Sequence, residues 1–154
     1  MIKRILILFA IAQLSMMGYS QTPKWAEKAK KAVFSVVTYD ANDKILNTGN
    51  GFFISEKGVA ISDYALFKNA QRAVIITSEG EKMPVKAILG ANDMYDVVKF
   101  SVDITSKKVA NLTLSETPMT EGTKLWLLPY STQKVRSLTS GNVNSVDKIS
   151  DYAY

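Results

Sequence analysis

From Val33 to Val102 the chain is cut into short runs of β-branched and aromatic residues, each closed by turn chemistry. That spacing constrains the fold more than any other feature. Many short strands at close intervals favour an antiparallel barrel or sandwich. Val33-Phe34-Ser35-Val36-Val37-Thr38-Tyr39 is the clearest strand. Asp40-Ala41-Asn42-Asp43 follows it with short polar side chains that bond back to the local backbone. Residues 44–47, 51–54 and 59–62 read as further strands, the last two divided by the tight turn Glu56-Lys57-Gly58. Ser62 or Asp63 can cap a single helical turn after that, with Leu66 and Ala70 on its inner face. Glu79-Gly80 marks a hairpin between residues 73–77 and 82–89. Residues 90–93 read as a loop and residues 97–102 as a strand, followed by a connector over 107–116. Three more strands are expected at 124–128, 135–139 and 142–146, divided by Pro129 and by Ser140-Gly141.

The N-terminal part has a different character. Lys3-Arg4 precedes an apolar stretch over residues 5–17, and Gly18-Tyr19-Ser20 places small residues where a signal peptidase reads. Residues 1–20 are therefore expected to be a cleaved secretory signal, with Gln21 as the mature start. The rival reading is a membrane anchor, but the stretch is shorter than the roughly 20 residues that a spanning helix needs. The expected location is exported, periplasmic or extracellular, with no stable membrane anchor after cleavage. Thr22-Pro23 then reads as a helix start, and Trp25, Ala26 and Ala29 share one face of a short helix.

Missing residue types exclude much chemistry. The chain has no histidine and no cysteine. No Ser-His-Asp triad, thiol nucleophile or disulfide scaffold can be built, and a zinc site is not expected. No metal or other cofactor is expected. The formal charge of +5 becomes +3 without Lys3 and Arg4, and Lys24, Lys28, Lys30 and Lys31 carry much of it. That run reads as a solvated helix face, because no basic stripe with interleaved aromatics follows; nucleic-acid binding is not expected. Ser131 with Lys134, and Ser145 with Lys148, match Ser-x-x-Lys but lack partner motifs. Asp40 with Asp43, and Asp93 with Asp96, read as turn caps rather than calcium ligands. Asn111-Leu112-Thr113 fits a glycosylation sequon.

One segment carries more information. Gly49-Asn50-Gly51-Phe52-Phe53-Ile54, a turn, and Gly58-Val59-Ala60-Ile61-Ser62-Asp63-Tyr64-Ala65-Leu66-Phe67 resembles the opening of the trypsin-like domain of HtrA (Deg) type proteases. That family writes Gly-x-Gly-Phe, a turn, and Thr-Asn-x-His-Val. Aligned without a gap, its catalytic histidine falls on Ala65. Asp96 lies 31 residues later, opening Val97-Val98-Lys99-Phe100, and is similar to the aspartate that orients the family's imidazole. Asp96 reads equally well as the cap of a turn before a buried strand. Residues 122–129 and 139–145 resemble the start of the family's second barrel, although Tyr130 stands where glycine is common. The family's Gly-Asn-Ser-Gly-Gly nucleophile motif falls beyond Tyr154.

The resemblance implies an all-β fold with a short N-terminal helix, a complete first barrel and a partial second barrel. It divides the chain into a signal at 1–20, a helix and linker at 21–32, a first barrel at 33–105, a connector at 106–116 and part of a second barrel at 117–154. It implies a peptidase-family domain that is proteolytically inactive as written, with no catalytic residue set intact. Such a module would bind peptide or unfolded protein segments, or support a downstream domain of the same protein. The alternative is the N-terminal fragment of a serine endopeptidase whose nucleophile lies beyond residue 154, and open strand edges in the second barrel favour a fragment. A third reading is an exported β-rich domain of another role.

Overall fold

The computed structural model of the protein describes residues 24–128 and 138–146. The expected signal at 1–20 lies outside them, as do Thr22-Pro23, Pro129, Tyr130, the Ser131 and Lys134 pair, most of the strand expected at 135–139, and Lys148. Helix α1 spans Lys24–Ala32 and runs directly into β1, Val33–Tyr39. There follow β2 (Ile45–Phe53), β3 (Val59–Asp63), a single 3-10 turn (Tyr64–Phe67), β4 (Arg72–Ile76), β5 (Lys82–Asn92) and β6 (Val97–Val102). These six strands close into a barrel in the order β1-β2-β3-β6-β5-β4, with every pair antiparallel. Among the described residues the fold is all-β with one short helix.

Alternation builds the core. In β6, Val98, Phe100 and Val102 are buried, while Val97 and Lys99 are exposed. Phe34, Val36, Phe53, Ala60, Ile75 and Met83 complete the barrel interior. Phe34 packs against Phe53 with ring centroids 4.7 Å apart and against Phe100 at 6.3 Å. Helix α1 lies on the barrel through Ala26, Ala29 and Ala32, all buried. This corrects the face expected from sequence: the alanine stripe is inside, and Trp25 is about half exposed.

Local propensity gave way to pairing at four places. First, β2 is one continuous strand, although Thr48-Gly49-Asn50 separates two expected strands. A β-carbon at Gly51 would lie 2.6 Å from Phe34 Cε2 and 2.9 Å from the Ile61 carbonyl, and one at Gly49 would strike Leu66. The glycines are there because neighbours come too close for a side chain. Second, β5 continues through Gly90-Ala91-Asn92, expected as a loop, because these residues pair with Lys99, Val98 and Val97 of β6. Third, neither expected residue caps the 3-10 turn: Asp63, at its N-cap, makes no side-chain bond to it. Ser62 is still inside β3, and its hydroxyl donates instead to the Asn50 carbonyl at 2.6 Å. Fourth, the expected 142–146 strand is replaced by β8 at Thr139–Asn142.

Beyond the barrel, residues 107–116 form no regular element but run back along it. The Val109 amide donates to the Glu56 carbonyl at 3.2 Å and the Leu112 amide to the Phe53 carbonyl at 2.8 Å. Strand β7 (Lys124–Leu127) pairs antiparallel with β8 in a separate two-stranded sheet. Trp126 of β7 meets Trp25 of α1 edge-on, with centroids 5.9 Å apart.

Candidate functional site

The β3–β6 register decides which residues meet at one end of the barrel. Its last pair is Asp63 with Val97. The next residues outward are Tyr64 and Ala65 on one side and Asp96 on the other, so neighbours in space come from positions 31 apart in sequence. The Ala65 amide donates to Asp96 Oδ1 at 2.6 Å, and the Tyr64 amide donates to the Asp96 carbonyl at 3.2 Å. Asp96 adopts φ +49°, a left-handed conformation that aspartate tolerates better than most residues. Both Ala65 and Asp96 are exposed, so solvent also reaches the carboxylate. Asp96 caps the turn through Ala65.

Three contacts hold the turn. Asn47 Nδ2 donates to the Leu66 carbonyl at 3.3 Å, tying the turn to β2. Phe67 packs against the Phe100 ring at 5.1 Å. Lys68 Nζ pairs with Asp93 at 2.6 Å and lies 5.4 Å from the Tyr64 ring centroid. The hydrogen bond that the Lys68 ammonium donates to Asp93 is the main reason it is held above its ordinary value; desolvation opposes this, and the charges of Asp93, Tyr64 and Asp96 add smaller upward pulls. On the lysine side, any stability from this pair is present at neutral pH and is lost as pH rises through the raised lysine value.

Beside this end lies an apolar groove of about 740 Å³ between the barrel and the β7–β8 sheet. Phe52, Ile61 and Val97 form the barrel side, Trp25 and Ala29 the helix side, and Trp126, Leu127 and Leu128 the opposite wall. Asp63 and Asn50 supply its polar atoms along with Ser62. Sequence reasoning missed this groove. Its only signal was two tryptophans, Trp25 and Trp126, in segments otherwise poor in core residues.

Ser62, the serine nearest to Ala65 in sequence, is buried, and its hydroxyl is committed as donor to the Asn50 carbonyl. The other carboxylate pairs are structural. Asp40 Oδ1 accepts from the Asn42 and Lys44 amides, and Asp43 pairs with Arg72 at 2.7 Å. Among the described residues no three acidic side chains gather as metal ligands. No helix among them is long and apolar enough to cross a membrane. No protein-family model matches the chain, and no curated protein aligns with it significantly.

Proposed function

We propose that the chain is an exported trypsin-like, HtrA-type peptidase-family domain that has lost proteolysis and acts as a peptide-binding or structural module. The observation that carries this reading is the contact between Asp96 and the Ala65 amide at 2.6 Å. In the resemblance, these positions belong to the aspartate and histidine of a triad. Here a methyl group replaces the imidazole, and the chain holds no histidine to take its place. Loss of a general base removes orders of magnitude in rate. A closed six-strand antiparallel barrel is the architecture that the resemblance implies. The apolar groove supplies a surface for the expected partners, peptide or unfolded protein segments, or a downstream domain of the same protein.

Purified protein is expected to leave unfolded casein intact and to take no label from a fluorophosphonate serine-hydrolase probe. Labelling that disappears on mutating one serine would contradict the inactive reading. Binding is testable without activity, because Trp25 and Trp126 are the only two tryptophans and both line the groove. Unfolded peptide is expected to shift their fluorescence; no shift at saturating peptide would remove the groove as the binding surface.

A further inference from the structure

Strand β5 pairs with β6 over residues 85–92, with register shifts after Val85 and after Ile88, and with β4 only over its start. On the β6 side, pairs run from Val85 with Val102 to Asn92 with Val97. On the β4 side, pairing stops at Pro84, opposite Val74. Beyond that point the β4-facing amides and carbonyls of residues 85–92 have no strand partner. Such an edge is a template for another strand. Natural edges are commonly blunted by inward charges, proline or a covering loop. Here the outer part reads Ala87-Ile88-Leu89-Gly90-Ala91, without charge or proline, and the edge protection it does carry is two register shifts, after Val85 and after Ile88. Ile88 is 50% exposed and Leu89 is 53% exposed. Where β4 and β5 part, they leave a pocket of about 260 Å³ with apolar walls from Phe67, Ala73, Val85 and Ile88.

Charge decides what fits this edge. Lys82 and Lys86 on β5 and Lys99 on the neighbouring β6 are exposed and form no ion pair among the described residues. Asp93, which follows β5, is held by Lys68. A second copy of this chain would bring the same lysines against themselves, and like charges facing across strands destabilise pairing. We propose that the free edge of β5 binds an extended acidic peptide segment as an added strand, with one apolar side chain seated in the pocket between β4 and β5. Backbone hydrogen bonds supply much of the affinity in such complexes, and pockets for alternate side chains supply specificity. The proposal rests on strand pairing and charge, independently of the peptidase-family reading.

The probe is a labelled, end-blocked heptapeptide of alternating glutamate and valine, titrated with the full chain and followed by fluorescence anisotropy. Binding is expected, with slowed amide exchange at residues 85–92. Replacing the central valine of the peptide by proline, which breaks the strand without touching the protein, should abolish it. Reversing charge with Lys86→Glu and Lys99→Glu together should weaken binding by about tenfold or more, as should raising salt to about 1 M, where screening acts within about 3 Å. Absence of binding, equal binding of the proline peptide, or indifference to charge reversal would each overturn the proposal. So would protection of residues 85–92 that grows with protein concentration alone, which would make the occupant a second copy.

Discussion

At the scale of single residues, the turn between β3 and β4 depends on one exposed carboxylate. Asp96 accepts the Ala65 amide and does so from a left-handed backbone. Asp96→Ala removes the acceptor and leaves the strained φ, so it should cost about 1 kcal/mol in urea unfolding. Asp96→Asn keeps an acceptor oxygen and the same tolerance for that backbone, so it should cost less than half as much. Equal losses for the two variants would mean that the hydrogen bond contributes nothing. The proximity of positions 65 and 96 was suggested by the resemblance alone, whose spacing the 31 residues between them match. Their exposure was not, because it depends on how far the turn stands off the barrel end.

At the scale of elements, the strands that bury a strict alternation were legible, and those held by neighbours were not. Residues 97–102 could be read to the residue because Val98, Phe100 and Val102 alternate with Val97, Lys99 and Ser101. Thr48-Gly49-Asn50 falls between the expected strands because the reason for Gly49 and for Gly51 beside it, close approach of Leu66 and Phe34, lies elsewhere in the chain. Gly90 looked like a loop for the same local reason, yet it pairs with Lys99. These two kinds of strand glycine should respond differently to substitution. Gly51→Ala forces its new carbon to within 2.6 Å of the buried Phe34 ring. It should destabilise by about 1–3 kcal/mol. Gly90→Ala meets nothing within 4 Å and should be neutral or slightly stabilising. Denaturant midpoints of the two variants separate these outcomes, and similar midpoints would contradict the contact at Gly51.

At the scale of the whole molecule, the two-stranded β7–β8 sheet meets the rest of the chain at the Trp25–Trp126 edge contact. If that contact docks the sheet, a double-mutant cycle of Trp25→Ala and Trp126→Ala should give a coupling of about 0.5–1.5 kcal/mol. Additive losses would mean that the rings do not couple the two parts. The sequence could not give this contact, since nothing in either segment marks the other as its partner. Under the proposed function, Ala65 and Asp96 occupy the positions of a histidine–aspartate pair. The most direct measurement is the imidazole pKa of Ala65→His in untagged protein, read by NMR titration. The chain has no other histidine, so a single ring reports. A carboxylate beside the ring favours its charged form, so the pKa should rise above the ordinary value of about 6.5 and fall back when Asp96→Asn is added. An imidazole that titrates at its ordinary value, unchanged by Asp96→Asn, would contradict the account.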